Sequence, residues 1–195
     1  MRNLKILLKF FLIVVILITV FGFWYYHHLK PSYSGEILLT SIEKETKVYF
    51  DDFGIPHIYA NSHKDAITTL GYVQAQDRLW QLELMKRIAP GRLAELFGKN
   101  LIENDKFFAS LGIEEYSEKS VANLDPDSEI YLLMSSYLKG INQFIDDGPT
   151  PIEHILIGLK KEHFVMKDIY NVLGYMSFSF AMAQKTDPLM SSLQH

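Results

Sequence analysis

The sequence predicts an α+β fold that is mostly helical, with one short β-hairpin near the start of the body and a hydrophobic helix before it. Three observations carry this expectation. Phe10 to Tyr26 is an unbroken uncharged run. Two β-rich segments flank a Gly-containing turn between Lys47 and Ala60. Apolar residues then recur at helical spacing after Ser62 and again after Asp125.

Residues 1–9 form a short basic tail and residues 10–26 a membrane-spanning signal anchor. The run FFLIVVILITVFGFWYY reaches about 25 Å at about 1.5 Å per residue, slightly short of a bilayer core of about 30 Å. Leu4 to Leu8 extend it if Lys5 and Lys9 snorkel. Trp24, Tyr25 and Tyr26 close its far end, where amphipathic rings favour the membrane interface. Residues 1–30 hold Arg2, Lys5, Lys9 and Lys30 and no acid. The positive-inside rule therefore puts residue 1 in the cytoplasm and the body outside it, in the periplasm. A cleaved signal peptide is the competing reading. Its apolar region is shorter and ends at a small-x-small site, which Thr19-Val20-Phe21-Gly22-Phe23 does not provide. A soluble buried helix is disfavoured by the two greasy faces and the purely basic flank.

The chain carries a net charge of −4, and all 23 acids lie beyond residue 30. An acidic body argues against a nucleic-acid partner. The absence of Cys excludes disulfides, a thiol nucleophile and thiolate metal sites. A composition 48% hydrophobic and 13% aromatic excludes a disordered chain.

Residues 27–46 read as a linker running into a first strand at Gly35–Leu39. Lys47–Asp51 and Ile55–Ala60 are the hairpin strands, with Asp52-Phe53-Gly54 as turn. Ser62-x-x-Asp65 resembles a capping box opening a helix that reaches Ile88, where Ala89-Pro90-Gly91 stops it. Its apolar arc is wide, which suits burial between layers. Short helices follow over Arg92–Phe97, Asp105–Leu111 and Glu114–Asn123. Asp125-Pro126 starts a helix whose spaced apolar residues run from Ile130 to Ile145. Ile169–Gln184 is apolar almost all round and is expected to be central.

The residues alone reveal little chemistry. The seven histidines show no HExxH or His-x-His spacing for a metal. No GxSxG elbow and no phosphate-cradling Gly loop appears. Asp51 and Asp52 read as turn caps. Asp77 and Arg78, inside an apolar helix, are expected to belong to a structural ion-pair network, because buried charges need partners. Met176, Phe178 and Phe180 read first as core packing.

The stretch from Val48 to Gly98 strongly resembles the start of the penicillin acylase (penicillin amidase) family. The matching pieces occur in order: Gly54-Ile55-Pro56-His57-Ile58, Gly71-Tyr72-Val73, Ala75 through Gln81 (AQDRLWQ), and Gly91 through Gly98 (GRLAELFG). The resemblance continues more loosely to the end, making residues 47–195 an α-chain-like segment of an incomplete domain. It implies an N-terminal nucleophile hydrolase with an αββα sandwich, made as a precursor and cut into α and β chains. It implies hydrolysis of a small-molecule linear amide, such as the acyl side chain of a β-lactam or an acyl-homoserine lactone. The nucleophile would be the first Ser of the β chain, with its own α-amino group as base. An Asn and backbone N–H groups of the β chain would form the oxyanion hole.

On that resemblance the β chain of the same precursor is the principal partner, and no catalytic residue lies in this chain, which is expected to be inactive alone. What it contributes is the acyl pocket: Met176 and Phe180 stand where the family places a pocket-lining Met and Phe. Ser179 stands where some relatives carry a gating Arg, which weakens any claim for a phenylacetyl-type substrate. No cofactor is expected for catalysis. A structural Ca2+ is a further implication, with Asp187 as its nearest acid, offset by a residue and followed by Pro188. The alternative from a different class is a non-catalytic, membrane-anchored helical module that binds a partner through the same apolar faces.

Overall fold

The computed structural model describes residues 2–29 and 33–183. The N-terminal run forms one helix, α1 (Arg2–Leu29). Ile6–His27 is long and apolar enough to cross a membrane, and none of it is buried against the rest of the chain.

The body begins with residues 33–46, which strap across the core as extended chain and turns rather than as a strand. The reason is visible in the hydrogen bonds. The Gln143 side chain serves this backbone on both sides, accepting from Thr40 N at 3.0 Å and donating to the Leu38 carbonyl at 2.7 Å. A side chain takes the place of a neighbouring strand, so no ladder forms at Gly35–Leu39. Leu39 is buried in the core beneath the strap, and Ile42 packs against the same cluster.

The hairpin forms as expected, β1 (Lys47–Phe50) antiparallel to β2 (Pro56–Tyr59), with Val48 opposite Ile58 and Phe50 opposite Pro56. These two pairs face inward, while Tyr49 and Tyr59 stay exposed on the outer face. Asp51 builds the turn: its Oδ1 accepts the N–H groups of Phe53 and Ile55, both at 2.9 Å. Pro56, the first residue of β2, suits the end of a ladder because it donates no hydrogen bond.

Helix α2 (His63–Ile88) is capped by Ser62, whose Oγ accepts from Asp65 N at 3.1 Å. The reciprocal half of a capping box is absent. Asp65 instead accepts the Glu43 N–H at 2.9 Å and so ties the strap to the helix. Arg78 leaves helical geometry (φ −140°, ψ 26°) and kinks α2 there.

The central packing is α2 against α6 (Glu129–Asp147). Tyr72, Ala75, Leu79, Leu138, Ile141, Phe144 and Ile145 form the core, with the Tyr72 and Phe144 rings edge to face at 5.5 Å. Two glycines allow this closeness. A methyl group on Gly140 would collide with the backbone carbonyl of Thr68, and one on Gly71 with that of Tyr137. Helix α6 begins later than Asp125-Pro126 implies. Asp125 instead closes a turn, accepting Asp127 N at 3.0 Å on its side chain and Ser128 N at 3.1 Å on its carbonyl. Ser128 then caps the helix at Tyr131 N.

Helices α3 (Ala94–Phe97), α4 (Ile102–Ser110) and α5 (Ile113–Ala122) follow α2, with a 3₁₀ turn over Lys99–Leu101. A short helix, α7 (Ile152–Ile157), follows α6 and has no counterpart in the sequence reading. Helix α8 (Met166–Ala183) packs mainly on α5. It is not the all-round buried centre that its composition implied, because Leu173, Met176 and Phe180 are exposed.

Gly140→Ala is expected to destabilise the fold by about 1–3 kcal/mol through overpacking against unyielding backbone. Urea unfolding checks this. A midpoint equal to that of the wild type would show that α2 and α6 tolerate separation.

Candidate functional site

Helix α8 has two faces of different character. On the inner face, Phe178 meets the rings of Phe107 and Phe108 at 5.9 and 6.0 Å, and Tyr175 meets Phe108 at 5.7 Å. Gly174 lies against Ile113, and Asn171 is buried. On the other face, residues three and four apart align Leu173, Met176 and Phe180. Met176 is 43% exposed and Phe180 67%. The two side chains expected to line an acyl pocket therefore share one open apolar stripe, on a helix held firmly from behind. Asp187 lies outside the described residues. Among the described residues no group of three or more His, Asp or Glu side chains could hold a metal ion.

Among the described residues, Asp77 and Arg78 do not form the expected ion-pair network. Both are exposed, and Asp77 accepts a hydrogen bond from the Tyr33 hydroxyl at 3.1 Å. The kink at Arg78 turns this stretch toward solvent, so its charges need no buried partner.

The buried network lies one to three turns further along α2. Glu83 is 1% exposed and accepts from Arg87 Nε at 2.9 Å. Arg87 Nη1 donates to Glu95 at 2.7 Å, and Arg92 grips the same carboxylate with Nε and Nη2 at 2.8 and 3.0 Å. The Arg92 contact above all, with Arg87 adding to it, holds the Glu95 carboxyl below the usual range. Lys86 Nζ lies 3.5 Å from Glu83 and 3.9 Å from Glu162, and 4.6 Å over the Phe164 ring. Asp168, at the start of α8, completes the cluster. Burial pushes its carboxyl up, opposed by the Val165 N–H it accepts at 2.8 Å and by Lys86.

The sequence signal for this network was present as Glu83-x-x-Lys86-Arg87, the spacing at which helical side chains meet, and as Arg92-x-x-Glu95. The Gly91–Gly98 stretch is accordingly structural. Asp105 accepts the N–H groups of Leu93 and Ala94 at 2.9 and 2.7 Å. Gly91 has φ +71°, and a Cβ there would strike the Asp105 carbonyl. A left-handed backbone pressed against another backbone is a place where glycine is required.

These features define a mostly helical scaffold: a hairpin feeding a long kinked helix, a buried charge cluster, and an apolar helix face left open. The penicillin amidase family model matches residues 45–195. The penicillin acylase 2 proenzyme of Pseudomonas sp. (strain SE83) is 37% identical over 133 residues, which is 68% of this chain and 17% of the relative. Penicillin G acylase of Escherichia coli is 35% identical over 57% of this chain and 13% of its own length. The acyl-homoserine lactone acylase QuiP of Pseudomonas aeruginosa is 26% identical over 78% of this chain and 18% of its own. In structure, a thermostable penicillin G acylase from Alcaligenes faecalis superposes with a TM-score of 0.61 at 24% identity, covering 70% of this chain and 74% of that one. The chain belongs to the penicillin amidase family. It spans less than a fifth of the length of these curated relatives.

Glu83→Gln should destabilise the body by about 3–5 kcal/mol, because it leaves Lys86 and Arg87 buried without their shared counter-charge. Replacing Glu83 and Arg87 together by Met should recover part of that loss. Denaturant midpoints of the single and double variants test this, and equal stability of wild type and Glu83→Gln would refute it.

Proposed function

We propose that this chain is the α-chain portion of a membrane-tethered acylase that hydrolyses a small-molecule linear amide. The observation that carries the reading is the open stripe of Leu173, Met176 and Phe180 on a helix braced from behind, in a chain of the penicillin amidase family. An apolar stripe with a rigid backing suits one wall of an acyl pocket, whose binding energy comes from apolar burial. Relatives named as acylases of penicillin and of acyl-homoserine lactones support an acyl-amide substrate.

On this reading the remaining walls, the N-terminal Ser nucleophile, its α-amino base and the oxyanion hole come from a β chain of the same precursor. The word proenzyme in one relative's name supports such processing. The hairpin adds its two strands to the β chain's, building the αββα sandwich. The exposed outer face of the hairpin, with Tyr49, Phe53, Ile55 and Tyr59, supports that placement, since so much apolar surface in one patch marks an interface. Any structural Ca2+ would combine Asp187 with β-chain oxygens. Helix α1 acts as an uncleaved anchor holding the body outside the cytoplasm.

Two measurements test this. In the complete precursor after processing, release of amine from a panel of N-acyl amides is expected. Met176→Ala and Phe180→Ala should shift the ratio of kcat/KM between short and long acyl chains by on the order of tenfold, while leaving the unfolding midpoint nearly unchanged. Unchanged ratios would remove both residues from the pocket, and no amide hydrolysis at all would refute the activity. For the anchor, the mature protein should retain α1 by intact mass and stay in the membrane fraction after alkaline extraction. Recovery of a soluble species starting beyond residue 26 would show a cleaved signal instead.

A further inference from the structure

His154 is the one titratable side chain among the described residues that is buried with both ring nitrogens lacking a hydrogen-bond partner; it is 1% exposed. It sits on α7, and its ring meets Trp80 of α2 edge to face at 5.4 Å. An unpaired imidazole in such a place is tolerable only while neutral. A proton added there would find no acceptor, and burying an unpaired charge costs far more than burying a neutral polar group.

We propose that His154 is an acid-sensitive latch, whose neutral ring seats α7 on α2 and whose protonation releases it. The charges around it come from every side. Glu83 of α2 and Glu153 of α7 favour the proton, whereas Arg87 of α2 and Lys161 of the following segment oppose it. Glu83 is already engaged by Arg87 at 2.9 Å and by Lys86 at 3.5 Å, so little of its charge is left for the imidazole. Desolvation outweighs the rest and holds the ring's pKa below its ordinary value. The closed state therefore binds fewer protons than the open state. The latch is fully seated above the free imidazole value near 6.5 and loosens as pH falls below it. Release would also carry away Lys161 and Glu162, which follow α7, and with Glu162 one acid of the charged cluster.

Among the described residues, two other histidines do not share this arrangement. His57 and His163 are about half exposed and each contacts an aspartate, Asp51 and Asp146. They lie on the hairpin and beside the end of α6, so a local readout at α7 separates them from His154.

The test is amide hydrogen exchange of residues 152–159 in the full chain held in detergent micelles, corrected for intrinsic exchange rates. The opening constant is expected to be about tenfold higher at pH 5.5 than at pH 7.5, following one proton taken up near the free histidine value. His154→Leu and His154→Gln should each abolish the rise. A wild-type opening constant that does not change with pH, or a rise that survives in either variant, overturns the proposal. Should both variants fail to fold, the carbon NMR titration of the wild-type His154 ring decides. A ring that stays neutral below pH 6 while α7 is closed supports the latch, and a ring that titrates near 6.5 with α7 still protected overturns it.

Discussion

The backbone-to-backbone approach of α2 and α6 is the constraint on which the rest of the body depends. Gly71 and Gly140 let each helix press on carbonyls of the other, at Tyr137 and Thr68. At that spacing the Tyr72 and Phe144 rings mesh, and the Tyr137 hydroxyl reaches Gln74 at 2.6 Å. The same spacing puts Gln143 and Asp65, one on each helix, under the strap at residues 38–43, where each holds a different part of its backbone. The strap in turn delivers the chain to β1. A larger side chain at either glycine would push apart the two surfaces that the strap must bridge together.

The charged cluster plays a different part. Buried ion pairs often add little net stability, because desolvation offsets the attraction. What Glu83, Arg87, Glu95 and Arg92 do instead is fix geometry. A bidentate Arg92–Glu95 pair and a shared Arg87 define how the chain turns after α2. Asp105 then pins the start of α3, so the segment after α2 is set by polar contacts where apolar ones are sparse. Lys86 links this corner to Phe164 and Glu162, which precede α8. The corner is thus the joint between the α2 half of the body and the helix carrying Met176 and Phe180.

The parts of this architecture legible in the sequence were those whose cause is local. The hairpin, the Ser62 start of α2, the break at Ala89-Pro90-Gly91 and the extent of α5 follow from turn chemistry, capping and period, whereas α4 starts at Ile102, three residues before the expected Asp105. The failures have several causes. Gly35–Leu39 has strand composition, but Gln143 takes its hydrogen bonds, more than a hundred residues away. Asp125-Pro126 looks like a helix start, yet Ser128 supplies the competing cap. Asp77 and Arg78 read as buried charges because they lie inside an apolar helix, and the kink at Arg78 that leaves them exposed is not visible in residue types. The short helix α7 has too few residues to show a period. The alignment of Met176 with Phe180 was readable from spacing, but that their face stays open was not, because exposure is a property of everything else packed around the helix.

That open face also bears on why α8 is built asymmetrically. A helix buried on all sides is fixed in position but presents nothing, and a helix exposed on all sides presents a surface that its own motion blurs. Packing Tyr175 and Phe178 at steep ring angles against Phe107 and Phe108 gives α8 a defined seat without using the opposite face. Met176 and Phe180 are then free to be matched to whatever lies across from them. Of the two, the unbranched thioether adapts to a variable shape while the ring supplies a rigid surface. On the proposed reading of this face as an acyl-pocket wall, the pairing of an adaptable and a stiff side chain one turn apart suits discrimination among acyl chains differing by a few methylenes. In such a contact each methylene is worth roughly 1–3 kcal/mol, and only if the wall does not recede.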